Sequence, residues 1–224
     1  MSNKKLILLL LVFVFGCKSE EEAAALLGGS GEQRVGDGPD SPSDSINYVN
    51  VRSPRGTSGK WKEAWSNAVG SAIDEHSREL AMEVTLPSSD LAKLNCPGFN
   101  QAKENDKKRF WALFMSSISL YETDFNPNTR YWERGLNLWS EGLFQLSVST
   151  GRYHSGCGHI TKDNILDPIG NIRCAVAVMR NQIRKRGSLF PTRAYYWSVL
   201  TTSKKYKVQN FFKSQMAGLS FCQL

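Results

Sequence analysis

The chain has 224 residues, and its 28 lysine and arginine residues outnumber its 21 aspartate and glutamate residues, which gives a formal net charge of +7. Residues 18–59 carry four basic and seven acidic residues, whereas residues 60–224 carry twenty-two basic and fourteen acidic residues. A basic surface suits an anionic polymer. Because the sequence has no zinc-finger spacing, recognition-helix signature or aromatic RNA-binding signature, we expect no nucleic acid partner.

Residues 1–16 predict a bacterial export signal. Two lysines precede the apolar stretch 6–15, which is too short for a stable membrane anchor. The ending Val14-Phe-Gly-Cys17 resembles a bacterial lipobox, so we predict that Cys17 carries a lipid that attaches the protein to a membrane. The alternative is ordinary signal-peptide cleavage and a secreted protein. Lys18 stands where a retention signal would have aspartate, which favours the outer membrane, facing the periplasm.

Residues 17–59 predict a disordered linker behind the lipid anchor. Gly, Ser, Pro, Asp and Glu dominate this segment, and its one apolar run, residues 23–27, is too short to offset the entropy of ordering it. The remaining residues, 60–224, are enough for one hydrophobic core and too few for two. We therefore expect a single domain and a monomer.

Helical patterns dominate residues 60–224. No strand pattern of convincing length is present, so the sequence predicts a mostly α fold with at most a small β-hairpin. The best-marked helix begins at Asp167-Pro168, a favoured N-cap followed by a favoured first helical residue, and ends at Gly187. The other predicted helices cover about residues 61–83, 110–121, 142–149, 194–200 and 208–219.

One acid stands out, Glu122, at the end of the second predicted helix. Phe110, Phe114 and Ile118 repeat with the period of a buried helix. A carboxylate at the edge of such a helix would be desolvated, which raises its pKa toward the range of a general acid. The alternatives are a solvated surface glutamate or a partner for a nearby arginine, Arg130 or Arg134.

Four cysteines besides Cys17 predict two disulfides, because an even number in an exported chain favours bridges over free thiols. Three pairings are possible. One of them joins the outer two residues, Cys96–Cys222, and the inner two, Cys157–Cys174, and we favour it. Neither the cysteines nor the three histidines show a ligand spacing, so we expect no metal and no cofactor.

Four segments are spaced along the second half of the chain: Glu122-Thr-Asp-Phe-Asn-Pro127, Ser140-Glu-Gly-Leu-Phe-Gln145-Leu-Ser, Leu166-Asp-Pro-x-x-Asn171-Ile and Tyr195-Tyr-Trp197. In order and spacing they resemble the lysozyme-like domain of lytic transglycosylases and goose-type lysozymes. Thr123 stands where that family usually has serine, a change that keeps the hydroxyl group. The resemblance implies a mostly α, lysozyme-like domain.

The resemblance also implies an activity: cleavage of the β-1,4 bond between N-acetylmuramic acid and N-acetylglucosamine in peptidoglycan. Glu122 would be the acid and then the base of a lytic transglycosylase, in which the muramic 6-hydroxyl closes an anhydro ring. Ser140 and Gln145 would line the glycan groove, and Tyr196 would approach the acid. Tyr131 and Glu141 are further candidates for substrate binding.

Two alternatives to a transglycosylase stay open. Glu141, Asp124 and Glu133 are candidates for a second acid, which would activate water in a hydrolytic, goose-type-like lysozyme. An additional acid in the groove would also suit an amino sugar with a free ammonium group, as in deacetylated peptidoglycan. The other alternative is a catalytically inactive envelope lipoprotein that only binds glycan strands.

Overall fold

The computed structural model describes residues 51–223, and that part of the chain is mostly helical, with one β-hairpin. The α-helices are α1 (Glu63–His76), α2 (Glu79–Met82), α3 (Ser88–Lys93), α4 (Glu104–Thr123), α5 (Thr150–Tyr153), α6 (Pro168–Arg186) and α7 (Lys204–Ser214), and the strands are β1 (Arg130–Glu133) and β2 (Leu138–Glu141). Short 3-10 helices cover Pro97–Gln101, Ser198–Leu200, Met216–Gly218 and Ser220–Gln223. The predicted signal peptide, the lipid at Cys17 and the linker as far as residue 50 lie outside the described residues. Within residues 51–223, no helix is both long enough and apolar enough to cross a membrane.

Helix α4 lies at the centre of the fold, and most of its residues are buried, as the apolar period predicts. It packs against α1, α2 and α7. Phe110 and Phe114 stack with their ring centroids 6.1 Å apart, and Phe212 of α7 packs against Phe110 at 5.1 Å. Because buried aromatic rings contribute much of a core's stability, these contacts give the last turn of α4, with Glu122, a fixed position.

Helix α6 begins and ends where the sequence predicts. The side chain of Asp167 accepts a hydrogen bond of 2.7 Å from the backbone N–H of Gly170, and Pro168 is the first helical residue. Gly187 ends the helix in the left-handed conformation, with a φ of 60°. A cap like that of Asp167 stabilises a helix by about 1 kcal/mol. The helix packs against α1, and its first turn carries Asn171.

Strands β1 and β2 form an antiparallel hairpin in which Trp132 pairs with Trp139, and Tyr131 pairs with Ser140. Since side chains alternate along a strand, the two tryptophans share one face of the hairpin, and Tyr131 and Ser140 share the other. The sequence allows for a small hairpin without locating it, because strands of four residues are too short to show alternation.

The predicted helix over residues 142–149 is wrong. This segment begins with a tight turn, because Gly142 and Gln145 take φ values of 75° and 48°, which a right-handed helix cannot accommodate. Only α5, which starts at Thr150, follows it.

The predicted helix over residues 194–200 is also wrong, apart from the 3-10 turn at its end. Here tertiary contacts outweigh local propensity, since Nε1 of Trp197 donates a hydrogen bond of 2.9 Å to the carbonyl of Phe144. The predicted helix over 61–83 is two helices, α1 and α2, with a break at Ser77. The last predicted helix, 208–219, begins earlier, as α7.

The folded domain begins before the predicted boundary at residue 60. Val51 is buried, and the backbone N–H of Arg52 donates a hydrogen bond of 2.8 Å to Oε1 of Gln215. Residues 51–59, which the sequence assigns to the linker, are therefore a fixed N-terminal arm of the domain. Their composition hides this because the arm is held by hydrogen bonds to distant residues rather than by an apolar pattern of its own.

Both disulfides form in the favoured pairing. Cys96–Cys222 connects the start of the 3-10 helix Pro97–Gln101 with the C-terminal 3-10 helix. Cys157–Cys174 connects the loop after α5 with α6. The two bridges thus restrain the end of the chain and the loop that follows the hairpin.

Candidate active site

Glu122 lies in the last turn of α4, and the helix ends beside it because Asp124 takes the left-handed conformation, with a φ of 55°. The Glu122 side chain is half-buried. Burial raises the pKa of its carboxyl group to about 7; the positive charge of Lys204 opposes this shift, and the negative charge of Glu133 adds to it. A carboxyl group with this pKa is partly protonated at neutral pH, as a general acid requires.

A cleft of about 630 Å³ lies beside Glu122, a volume in the usual range of ligand sites. Its walls include Tyr121 and Asp124 at the end of α4, Thr129 before the hairpin and Lys204 at the start of α7. Pro54 and Thr57 of the N-terminal arm also line it. The arm is therefore part of the candidate site.

The tight turn after β2 is held by Asn171, which is fully buried in the first turn of α6. Its Oδ1 accepts a hydrogen bond of 3.0 Å from the backbone N–H of Phe144. Its Nδ2 donates to the carbonyls of Glu141 and Ile165 at 3.1 and 2.9 Å. Glycine is required at position 142 because a Cβ there would lie 2.3 Å from Nδ2 of Asn171.

Thr123 connects the same turn to the end of α4. Its hydroxyl group lies 3.1 Å from the carbonyl of Leu143 and 3.2 Å from the carbonyl of Ser119, and it can donate to either. The residue next to Glu122 thus links the last helical turn to the turn after β2. This link gives the hydroxyl group of Thr123 a structural role.

Gln145 braces the cleft wall. Its Nε2 donates hydrogen bonds of 3.2 Å to the carbonyl of Thr129 and 3.0 Å to the carbonyl of Gly142. The amide nitrogen is therefore bonded to the backbone. A role for the side chain in substrate binding stays a prediction, which would involve its oxygen.

Of the three candidate second acids, Glu133 is the one whose charge adds to the raised pKa of Glu122, whereas Asp124 lines the cleft beside Glu122. Oε1 of Glu133 accepts a hydrogen bond of 3.3 Å from the hydroxyl group of Ser140. Asp124 is engaged elsewhere, because its Oδ2 accepts a hydrogen bond of 2.6 Å from the backbone N–H of Ser58. Ser140 thus holds Glu133 on the hairpin face that also carries Tyr131.

The hairpin places Glu141 on its opposite face. Glu141 is buried, and its Oε1 lies 3.1 Å from Nε of Arg130. As the neighbour of Ser140 in an extended strand, it is directed away from Glu133. Tyr131 is 60% exposed and shares the face of Ser140, where a ligand beside Glu133 would meet it.

Tyr196 is linked to Glu122 by an electrostatic interaction. Burial raises the pKa of its hydroxyl group, hydrogen bonds from Thr150 and Ser147 lower it, and the charge of Glu122 raises it slightly. The hydroxyl groups of Tyr196 and Thr150 lie 3.0 Å apart. The tyrosine is therefore fixed close to Glu122, and its role in catalysis stays a prediction.

Sequence reasoning missed three contributors to the site: Lys204, Asn171 and the N-terminal arm. The sequence does contain a signal for Asn171, because this residue belongs to the Leu-Asp-Pro-x-x-Asn segment of the resemblance. Lys204 had none, since a lysine at the start of a helix is ordinarily a solvated residue.

No family model and no curated protein matches the chain. Solved structures of Bd0314 DslA from Bdellovibrio do. Its wild-type form is 27% identical, with a TM-score of 0.61 and coverage of 71% of this chain and 91% of that chain. Two variants of it, in each of which one glutamate is replaced by glutamine, are 26% identical, with TM-scores of 0.61 and 0.58. The comparison confirms the predicted mostly α, lysozyme-like fold and indicates a glycoside-hydrolase-like or peptidoglycan-related one.

Proposed function

We propose that the protein is a glycosidase that cleaves the β-1,4 bond between N-acetylmuramic acid and N-acetylglucosamine in peptidoglycan, with Glu122 as general acid. One observation carries the proposal: a carboxyl group with a pKa of about 7 ends a buried helix and opens on a cleft of about 630 Å³. Burying an acid costs stability. Because a glycan-binding module gains nothing from that cost, the geometry favours an enzyme over an inactive binder.

The chemistry has two steps. Protonated Glu122 donates its proton to the glycosidic oxygen, the bond from that oxygen to the anomeric carbon breaks, and positive charge develops at this carbon. The Glu122 carboxylate then takes a proton from the hydroxyl group that attacks the anomeric carbon. Attack by water leaves a reducing end, whereas attack by the muramic 6-hydroxyl leaves an anhydro end. The second step alone separates a lysozyme from a lytic transglycosylase.

The sequence motifs favour the transglycosylase, but the position of Glu133 supports hydrolysis as the second candidate. A transglycosylase of the resembled family dispenses with a second carboxylate, whereas a water-activating enzyme uses one. Ser140 donates a hydrogen bond to Glu133, and the charge of Glu133 adds to the raised pKa of Glu122. The glutamates replaced in the two DslA variants are eleven positions apart, which is also the spacing of Glu122 and Glu133.

Digestion of purified sacculi followed by mass analysis of the released muropeptides tests the proposal. We expect wild-type protein to release fragments and Glu122→Gln to release less than a few per cent as much, because the amide cannot donate the proton. The matched control is Glu83→Gln, at an exposed glutamate at the end of α2, which should keep full activity.

The products then separate the candidates. Reducing ends together with strong loss of activity in Glu133→Gln would identify a hydrolase. Anhydro ends with an active Glu133→Gln variant would identify a transglycosylase. Absence of fragments from the wild type, with glycan binding intact, would contradict the enzyme and leave the inactive binder.

We also propose that the protein works in the bacterial cell envelope, attached through a lipid on Cys17. The support is the lipobox-like ending of the export signal, and the basic domain suits the anionic polymers found there. Cys17→Ser should move the protein from the membrane fraction to the soluble fraction, as followed by immunoblot. A wild-type protein that is already soluble would contradict the anchor.

A further inference from the structure

The face of the hairpin that is directed away from Glu133 carries a second group of aromatic and charged side chains. In the register of the hairpin Trp132 pairs with Trp139, and Arg130 pairs with Glu141, so these four share one face. The indoles of Trp132 and Trp139 are in contact, with ring centroids 5.3 Å apart, yet they are 38% and 49% exposed. Large exposed aromatic pairs of this kind are unusual without a ligand or partner.

A recess of about 380 Å³ adjoins this face. Its lining includes Arg130, Trp139, Glu141, Ser149 and Lys162. It shares no lining residue with the cleft beside Glu122. The recess and the cleft are therefore lined by different residues, and of the two the hairpin lines only the recess.

The charges in the recess are unequal. Glu141 is paired with Arg130, so these two residues neutralise each other. Lys162 is exposed and forms no ion pair within residues 51–223, which leaves one net positive charge. An anionic group on the ligand would complement this charge.

These features together fit a sugar ring. The apolar C–H face of a pyranose can pack on an exposed indole, while its hydroxyl groups bond to polar groups at the rim. The Glu141 carboxylate and the Ser149 hydroxyl group supply such partners. The Lys162 ammonium group can pair with a carboxylate substituent, which is the lactyl group of muramic acid where no peptide is attached and a peptide carboxylate where one is.

We propose that this recess is a second glycan-binding site, which holds an acidic saccharide segment on Trp139 and Lys162 while another segment occupies the cleft beside Glu122. The identity of the polymer rests on the proposed function. A site of this kind would raise the local concentration of an insoluble substrate at the catalytic cleft. It would contribute little on a short soluble substrate that fills the cleft alone.

A membrane surface is the other ligand that exposed tryptophans suggest, and the structure disfavours it. Tryptophan and the exposed Leu136 at the hairpin tip suit a bilayer interface. However, Glu141 is buried within a concave recess, where a flat lipid surface does not reach it. A concave recess with a carboxylate fits a single sugar ring better than a flat headgroup layer.

The test measures binding with the full chain carrying Glu122→Gln, to prevent digestion, and Cys17→Ser, to remove the lipid. The affinity for sacculi, measured by cosedimentation, should fall about tenfold when Trp139→Ala is added, as for an interface anchor. It should fall severalfold when Lys162→Ala is added, mostly at low salt, because salt screens the charge. Tyr206→Ala, at a tyrosine that is 59% exposed on α7, is the matched control and should bind normally. Lys162→Ala lies outside the hairpin, so it still tests the site if Trp139→Ala disturbs the hairpin fold.

Turnover supplies the second readout. With Glu122 intact, Trp139→Ala should digest sacculi more slowly and cleave a short soluble muropeptide oligosaccharide at the normal rate. Equal loss on both substrates would place Trp139 in the catalytic groove and overturn the second site. Unchanged sacculus binding in both variants, or Trp139-dependent binding to anionic vesicles but not to sacculi, would also overturn it. Trp139-dependent binding by a wild-type protein that releases no fragments would refute the proposed function alone.

Discussion

The backbone N–H of Ser58 donates a hydrogen bond of 2.6 Å to Oδ2 of Asp124, the residue that ends helix α4. The next residue repeats the contact, since the N–H of Gly59 donates to the carbonyl of Asp124 at 3.0 Å. Asp124 and Phe125 both take left-handed conformations, with φ values of 55° and 61°, which are costly for residues other than glycine. The N-terminal arm therefore stabilises the turn that fixes the orientation of Glu122.

Gly59→Ala tests this contact. A Cβ at position 59 would lie 2.2 Å from the carbonyl oxygen of Phe125, so the arm or the turn must move. We expect a loss of about 1–3 kcal/mol in the free energy of unfolding, as for overpacking, and a lower kcat because Glu122 shifts. Chemical denaturation and sacculus digestion measure the two effects.

Gly158→Ala is the control for that experiment. Its Cβ would have no atom within 4 Å, and the glycine does not take a positive φ, so stability should stay within about 0.5 kcal/mol of the wild type. A Gly59→Ala protein as stable and active as the Gly158→Ala protein would show that the arm does not support the site.

Asn171→Ala tests the anchor of the turn after β2. The change removes three hydrogen bonds and leaves buried backbone groups, including the N–H of Phe144, without partners. We expect a loss of about 2–4 kcal/mol in the free energy of unfolding, measured by denaturant titration. Asn128→Ala, at an exposed asparagine, should cost under about 0.5 kcal/mol. A loss below about 1 kcal/mol in Asn171→Ala would mean that the turn keeps its shape without this residue.

The elements that the sequence located are those with local signals. Helix α4 follows from the spacing of Phe110 and Phe114, and α6 follows from the Asp167-Pro168 start and the Gly187 end. The turn after β2 and the arm depend on partners far along the chain. Asn171 is 27 positions from Phe144, whose N–H donates a hydrogen bond to it, and Asp124 is 66 positions from Ser58. No periodicity or capping pattern records such contacts.

The residues of the candidate site also fall into those with a local signal in the sequence and those placed by distant contacts. Glu122 could be predicted because a carboxylate at the end of an apolar stripe is locally anomalous. Glu133 could only be one of three candidates, because the face on which it lies depends on the register of a hairpin whose strands have four residues each. That register also separates Glu141 from Glu133, although Glu141 is the residue next to Ser140 in the motif.

The two disulfides should contribute unequally to stability. They close segments with sequence separations of 126 for Cys96–Cys222 and 17 for Cys157–Cys174. In the chain-entropy model the longer loop gives close to 5 kcal/mol and the shorter one about 3 kcal/mol. Denaturation of the two Cys→Ser double variants should therefore show the larger loss for Cys96–Cys222. Non-reducing peptide mapping checks the pairing, and the opposite order of stabilities would contradict the entropic account.

The raised pKa of Glu122 predicts how stability depends on pH. The folded carboxyl group has a pKa of about 7, against 4.5 for a solvated glutamate, as in the unfolded chain. Between these values the folded state binds more protons than the unfolded state, so the free energy of unfolding falls as pH rises through this window. At one unit of pKa per 1.36 kcal/mol, the cost above pH 7 is at most about 3 kcal/mol.

Glu122→Gln removes this cost because the amide does not ionise. The variant should match the wild type in thermal stability near pH 4, where both side chains are neutral. Above pH 7 the variant should be more stable, because the folded wild type must then either bury a charged carboxylate or hold a proton that the unfolded chain releases. Glu83→Gln, which replaces an exposed glutamate, should show no such divergence. Melting temperatures from pH 4 to pH 8 test this directly. Since the general acid must be protonated, wild-type activity should also fall as pH rises through about 7. Parallel melting curves for wild type and Glu122→Gln across this range would show that the Glu122 carboxyl group is solvated, and it would then be unsuited to protonate a leaving group at neutral pH.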